Sequence, residues 1–360
     1  MILENITSNG FRNISGLNFS PTENMNVIFG NNAEGKTNLL EAIWLFCGAK
    51  SFRGAKDREM VAFGEELAVN TANFSLNGRK MDAKIIIDTK RRAELLGKKL
   101  SSPSKLAGNF YCLTFSPQDL NLVNDGPKVR RRFLDTAIGQ IYPIYNELLR
   151  EYVKAVLQRN SILRDIRFHP ELEHILEDFE ISLAQLSIKI IKYREKYIED
   201  LSKIAPEIYA GISSGRENLE ISYLSEIKGQ MSTEELLKKY REKRREDIFN
   251  QNTSVGPHRD DILLKLNGNL VKSFGSQGQK RSVALSLKLS EARALKNLTG
   301  EEPIALLDDV MSELDTKRQD FILNHIEKWQ VFITCCDPAN ILGLKNGKVF
   351  KMSGGKLHEI

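Results

Sequence analysis

Apolar and polar positions divide the chain into stretches of different period. Over residues 1–125 the pattern is short and strand-like. An apolar run sits at Val27, Ile28 and Phe29, and two alternating segments, NTANFSL and RKMDAKIIID, are joined by Asn77-Gly78. Asn-Gly between alternating segments predicts a two-residue hairpin, because both turn residues must take positive φ. From residue 126 to 245 the period lengthens to three or four. Leu172, Ile175, Phe179, Leu183, Leu186, Ile190, Tyr193, Tyr197, Leu201 and Ile204 make one stripe, preceded by another through Leu149, Tyr152, Val153, Val156 and Leu163. Phe168-His169-Pro170 interrupts them. The pattern predicts a helical hairpin, the second helix resting on the first, with arms of about 40–50 Å at 1.5 Å per residue. Beyond it, Glu220 to Leu224 reads as a brief strand, and Ser232 with Glu235 as a capping box opening a helix through Leu236, Tyr240 and Ile248. From residue 246 to 360 buried-strand runs return at Ile304 to Leu307 and Val331 to Ile333.

The segment after the first apolar run carries chemistry. Gly30-Asn31-Asn32-Ala33-Glu34-Gly35-Lys36-Thr37, extended by Asn38, matches G-x-x-x-x-G-K-[ST] between a strand and a helix. Gly30 and Gly35 let the backbone curl until its N–H groups face a phosphate. Lys36 neutralises the β- and γ-oxygens, and Thr37 offers a hydroxyl to Mg²⁺. Chance produces such a match in a chain of this length about once in a hundred, given ordinary glycine usage. The ligands expected from the loop are a nucleotide polyphosphate and Mg²⁺, the cassette class and the resemblance described below making the nucleotide ATP.

Composition adds limits. At 360 residues, 41% hydrophobic and 28% charged, the chain is globular and large enough for two domains. It contains no run of about 18 apolar residues and no basic-then-apolar leader, so a cytosolic location and no membrane are expected. The cysteines Cys47, Cys112, Cys335 and Cys336 lack zinc spacing and read as reduced, mostly buried thiols. His169 and His174 are likewise not spaced for a metal. The net charge of +5 is uneven: 17 Lys/Arg face 9 Asp/Glu between Lys50 and Arg132. Taken alone, clusters such as Lys90-Arg91-Arg92 and Arg130-Arg131-Arg132 read as a solvated face; backbone phosphate contact is the nucleic-acid version of the idea.

A second nucleotide element lies 272 positions beyond Lys36, where the run through Leu307 ends in Asp308-Asp309. Asp308 is expected to hold the metal and Asp309 to orient the attacking water. So wide a gap implies an inserted lobe and suggests the ATP-binding-cassette class, in which a Ser-x-Gly-Gln loop opens a helix and meets the γ-phosphate held by another copy. Here Ser276-Gln277-Gly278-Gln279 precedes an apolar face of Leu285, Leu289, Ala292 and Leu295. A hydroxyl, a glycine N–H and a helix N-terminus together make an anion site. The fold expected is α/β, an ABC-type P-loop ATPase head built from residues 1–125 and 246–360, with residues 126–245 inserted as a mainly helical lobe carrying a short hairpin arm; the resemblance described next implies that the head is of the SMC type.

The order FRN at residues 11–13, GNNAEGKT, SFR at 51–53, FSPQDL at 115–120, RRRFLD at 130–135, VGPHRDD at 255–261, SQGQKRS and LLDDVMSELD at 306–315 resembles the bacterial RecF family, across essentially the whole chain. The resemblance implies an ATP-dependent DNA-binding protein of recombinational repair and replication restart. It would dimerise head to head on ATP, engage double-stranded and gapped DNA, and work with RecR and RecO to load RecA, supporting SOS induction. It also implies that Gln118 senses γ-phosphate and Mg²⁺, that Ser276, Gly278 and Gln279 act in trans, and that residues 312–315 cross the dimer interface. Arg53, Lys56, Arg58, Arg130, Arg131 and Arg132 become candidates for DNA contact, Arg53 also for γ-phosphate. Two departures from most cassette ATPases, Asp309 in place of Glu and Thr334 where many relatives carry a switch histidine, imply slow hydrolysis that times release; the resemblance implies a weak ATPase stimulated by DNA. His258 and Arg259 stay open between a basic turn and a functional tip. The competing class is an ATPase subunit of a transport or chromosome-organising complex; the former would lack the helical arm, the latter needs hundreds of coiled-coil residues.

Overall fold

The computed structural model describes residues 1–337 and 347–360. At its centre lies a parallel sheet in the order Gly347–Ser353, Met25–Phe29, Val331–Cys335, Ile304–Asp308 and Cys112–Phe115, with Lys356–Glu359 antiparallel at one edge. Its apolar runs are buried on both faces, as parallel strands require. Alternation sorts them. Ile28, Leu306 and Phe332 face one core, while Val27, Leu307 and Ile333 face the other.

The first core is closed by helix α1, Lys36–Trp44, and by an antiparallel sheet in the order Leu17–Phe19, Ile2–Asn9, Ala68–Leu76, Arg79–Ile87, Arg91–Leu95 and Lys98–Lys99. The hairpin at Asn77-Gly78 forms as expected, with φ of 50° and 70°. The second core is closed by helices α2, Pro127–Ile141; α3, Pro143–Asp165; α4, Leu176–Ser213; α5, Thr233–Asn250; α6, Val271–Phe274; α7, Gln277–Thr299; and α8, Thr316–His325. The Ser232/Glu235 capping box opens α5.

One expectation needs correction. α4 has 38 residues, about 57 Å at the standard rise, and its apolar stripe packs on α7 as well as on α3. A helix covered from two sides can bury Leu183, Ile190, Tyr197, Leu201 and Ile208 together, which one antiparallel neighbour could not do. The domain boundary expected at 245/246 lies inside α5. Moreover, Leu219–Leu224 pairs antiparallel with Asp261–Leu266, so one three-stranded sheet joins both sides of that division.

Candidate nucleotide site

Strand ends collect at the carboxyl edge of the parallel sheet, and the candidate residues gather along that edge. The loop after Met25–Phe29 turns at Gly30, where φ is 156° and a Cβ would collide with the Met352 carbonyl of the neighbouring strand. At Gly35, φ is 113° and a Cβ would lie 2.8 Å from Asn13 Oδ1. Both glycines are therefore obligatory. Asn13 braces the loop, donating to the Ala33 carbonyl at 2.9 Å and accepting from Asn38 Nδ2 at 2.8 Å. From the other side, the Gly355 N–H donates to the Glu34 carbonyl at 3.0 Å. Asn31, Asn32 and Ala33 stay exposed at the mouth.

Lys36 is 4% exposed, its ammonium donating to the carbonyls of Gly30 at 2.7 Å and Asn31 at 3.0 Å. Thr37 Oγ1 donates to Asp308 Oδ1 at 2.8 Å. Thr334 Oγ1 donates to the same oxygen at 2.9 Å and accepts from the Asp309 N–H at 3.0 Å. Burial pushes the Asp308 carboxyl above its ordinary value, against the hydrogen bonds from Thr37 and Thr334. A half-buried carboxylate beside a hydroxyl fits Mg²⁺, and the neighbouring ammonium fits a polyphosphate. Asp309 sits at φ 50°, a left-handed conformation that costs a non-glycine residue about 1–2 kcal/mol. Gln118 is exposed on the loop after Cys112–Phe115, at the same sheet edge.

Thr334 is fully buried and holds Asp308, so it does not occupy the place of a switch group facing the phosphates. Two residues on, exposed Cys336 lies against the Gly30–Thr37 loop: its Sγ lies 3.2 Å from Asn32 Oδ1 and 3.9 Å from Lys36 Nζ. Only Cys47 and Cys112 among the four thiols are buried, and all are free. The FRN and SFR motifs, known from sequence only as resemblance, meet on Glu41, a fully buried residue of α1. Arg12 donates to Glu41 from Nε at 2.9 Å and from NH2 at 3.0 Å, and the Ser51 hydroxyl also donates to it. Arg53 donates to Asn38 Oδ1 at 2.8 Å, which turns it toward the phosphate loop.

The basic candidates separate. Lys56 and Arg58 are exposed. Arg130 is not a surface group. It is 5% exposed, clamps Asp261 through Nε at 2.6 Å and NH2 at 2.8 Å, and donates to the Asp125 carbonyl at 2.7 Å. On α2 it lies on the face that meets the Asp261–Leu266 strand, where a lone guanidinium would be too costly without that carboxylate. Half-buried Arg131 donates to the Asp260 carbonyl at 2.7 Å. Arg132 is exposed and tied to the carbonyls of Ser51 and Phe52.

VGPHRDD is a turn closed by the Arg259 N–H donating to the Gly256 carbonyl at 2.9 Å, with Arg259 exposed and with His258 and Asp260 built into a joint beneath it. His258 Nε2 lies 2.9 Å from the Thr253 carbonyl and must donate to it, so Nδ1 accepts from the Tyr152 hydroxyl. Burial drives its pKa down to about 4. Buried Asp260 accepts from the Tyr223 hydroxyl and sits 3.5 Å from Arg194 of α4, which also holds Asp135 of α2 at 2.8 Å. Arg259 remains exposed, donating to the Thr253 carbonyl at 2.9 Å.

At the head of α7, Ser276 is the N-cap: its Oγ accepts from the Gln279 N–H at 3.2 Å, and Gln279 Oε1 accepts from the Ser276 N–H at 2.6 Å. The Gln279 amide nitrogen donates to Glu217 of the same chain. Gln279 is thus committed within its own protomer, whereas Ser276 is exposed and Gly278 half-buried. Arg318 of α8 donates to the Gly278 carbonyl at 2.9 Å and to Ser282, and the Asp315 carboxylate caps α8, so residues 312–315 and the Ser276 loop are clipped together. Among the described residues there is no cluster of His, Cys, Asp and Glu that could hold a metal by itself, and no helix long and apolar enough to cross a membrane.

A family model described as an AAA domain matches residues 5–320. The DNA replication and repair protein RecF of Lachnospira eligens is 37% identical over 99% of this chain and 98% of its own. A solved structure of the recombination mediator protein RecF with ATP superposes with a TM-score of 0.92 at 36% identity, covering 100% of this chain and 97% of that one. An Smc head domain from Pyrococcus furiosus, 14% identical with a TM-score of 0.55 over 100% of this chain and 96% of its own, shares the fold alone. With a phosphate loop, paired acids and a capped Ser-x-Gly-Gln helix on an SMC-type head, and with relatives matching along nearly its full length, the chain belongs to the RecF family of DNA replication and repair proteins.

Proposed function

We propose that the protein is an ATP·Mg²⁺-gated clamp of recombinational repair: it dimerises head to head when nucleotide binds, holds duplex or gapped DNA, and releases it on slow hydrolysis. The observation that carries this reading is the Thr37–Asp308 hydrogen bond beside Lys36, a prepared metal and phosphate position whose two sides lie 271 residues apart in sequence. Lys36 exchanges the Gly30 and Asn31 carbonyls for β- and γ-phosphate oxygens. Thr37, Asp308 and Gln118 are the residues that would hold Mg²⁺. When bound, the metal supplies positive charge to the phosphate oxygens. Asp309 orients the attacking water; its short carboxylate on a strained backbone supports slow turnover.

Ser276 and Gly278 meet the γ-phosphate of the partner copy. Their support is a capped helix N-terminus whose serine stays exposed, an anion position that its own protomer leaves open to the surface. Gln279 acts by holding Ser276 in place. DNA contact falls to Arg53, Lys56, Arg58 and Arg132, the exposed members of the basic stretch, with Arg131 at its margin. RecR and RecO are the expected protein partners, by analogy with the RecFOR pathway named for the relative of known structure. Stimulation of the ATPase by DNA belongs to the same reading, as does a cytoplasmic location.

The test is sedimentation with and without ATP·Mg²⁺ on a labelled gapped duplex at two salt concentrations. An ATP-dependent dimer carrying the duplex, with affinity falling steeply with salt, is expected from phosphate contacts. A monomer that ignores the duplex would overturn the reading.

A further inference from the structure

The first turn of α7 is held by a carboxylate that belongs to none of the nucleotide motifs. Glu217 lies half-buried on the turn between α4 and the Leu219–Leu224 strand. Its Oε1 accepts from the Gln279 amide nitrogen, and its Oε2 accepts from the hydroxyl of Tyr209, a residue of α4 that is 1% exposed. Burial and the Glu217 carboxylate together push the Tyr209 hydroxyl well above its ordinary pKa, which keeps it a donor. The turn itself is fixed on both sides of Glu217. Before it, the Gly215 N–H donates to the Ala210 carbonyl at 2.9 Å and closes α4; after it, the Asn218 N–H donates to Asn267 Oδ1 at 2.9 Å.

A carboxylate can only accept, and a backbone N–H can only donate. The Gln279 amide stands between one of each, with Glu217 on one side and the Ser276 N–H, 2.6 Å from Gln279 Oε1, on the other. Only one orientation of the amide satisfies both: nitrogen toward Glu217, oxygen toward Ser276. The Gln279 N–H in turn donates to Ser276 Oγ at 3.2 Å, so that oxygen already accepts and its hydrogen is free to be donated to an anion. The polarity of the exposed end of α7 therefore traces back to Glu217, 62 residues earlier in the chain.

We propose that Glu217 is a positioning residue of the composite site: by fixing the orientation of the Gln279 amide, it holds the Ser276 hydroxyl as a hydrogen-bond donor toward the γ-phosphate of a partner copy. This deepens the composite-site reading above and rests on it for the identity of the anion. Glu217 itself touches no phosphate. Charge alone gives the opposite expectation, because a carboxylate near an anion position repels the anion and its removal would tighten the dimer. The two accounts part on a single substitution.

The test compares Glu217→Gln, Gln279→Glu and the two combined, each in the full chain. An amide at 217 has one acceptor oxygen, which cannot serve both Tyr209 and Gln279. In the combined variant that oxygen takes the Tyr209 hydroxyl, the amide nitrogen donates to the carboxylate at 279, and the second carboxylate oxygen takes the Ser276 N–H, so all three bonds return at unchanged net charge. With ATP·Mg²⁺ the dimer dissociation constant should rise about ten-fold in Glu217→Gln, the scale of one lost hydrogen bond, and at least as much in Gln279→Glu, which sets two carboxylates against each other. The combined variant should come back to within about three-fold of the parent. A Glu217→Gln protein that dimerises as tightly as the parent, or a combined variant no better than the single ones, overturns the proposal. Hydrogen exchange on the nucleotide-free monomer reads the same hold without a partner: residues 276–280 should exchange faster in Glu217→Gln and slow again in the combined variant. Unchanged exchange in Glu217→Gln also overturns the proposal. A parent that never dimerises on ATP, with exchange following that pattern, would sink the composite site and leave the hold of Glu217 on Ser276 standing.

Discussion

Thr37 Oγ1 donates to Asp308 Oδ1 at 2.8 Å, and this one bond joins the start of α1 to the end of a strand two places away in the parallel sheet. Thr334, on the intervening strand, donates to the same oxygen. Two hydroxyls therefore fix one carboxylate oxygen and leave the other available.

Asp308→Asn isolates that second oxygen. The asparagine Oδ1 can still accept from Thr37 and Thr334, so the fold should survive while the metal loses an anionic ligand. Hydrolysis is expected to fall about a hundred-fold or more, the scale of losing one principal electrostatic group, with the melting temperature unchanged or raised. ATPase assays and thermal melts of the nucleotide-free protein check both halves.

Ser276→Asp separates capping from catalysis. Aspartate caps a helix as well as serine does, so thermal stability should hold, but its charge would oppose a partner's γ-phosphate. ATP binding should persist and ATP-driven dimerisation should be lost in sedimentation; Ser276→Arg should fail to dimerise in the same way. A normal ATP dimer of either variant would count against the composite site.

Arg130 and Arg58 should behave oppositely although both lie in the basic stretch. Arg130→Ala leaves Asp261 without its partner at a buried joint, and about 3–5 kcal/mol of stability should be lost. Arg58→Ala should leave urea denaturation nearly unchanged and shallow the salt dependence of DNA binding by about one unit of slope.

His258 makes the joint sensitive to acid. Its folded pKa, lowered by burial to about 4, lies below the ordinary 6.5, so the unfolded chain binds the extra proton between those values. Stability contributed by the neutral ring is present above pH 6.5 and lost as pH falls through about 4, amounting to about 3 kcal/mol at most. Urea midpoints measured from pH 7 to pH 4.5 should fall in the parent, and the fall should be shallower in His258→Gln.

The sequence by itself determined the local chemistry: the phosphate loop, the Asp308-Asp309 strand end, the Asn77-Gly78 hairpin, the Ser232 cap and the helix opening after Ser276. Each is a short-range rule of φ, hydrogen bonding or alternation, and the structure contains each one where the sequence places it. Charge count could not say which cations meet water. Arg130, Arg131 and Arg132 are consecutive, yet α2 turns about 100° per residue, so one is buried against Asp261, one is half-buried and one is exposed. The roles of Thr334 and Cys336 were likewise beyond one-dimensional reading, because strand alternation and the register of three parallel strands decide which side chain reaches Asp308 and which reaches Lys36. His258, Glu41 and Glu217 became intelligible only through partners that folding brings to them. Periodicity shows that a position is inside; only the packed structure decides what it is inside with.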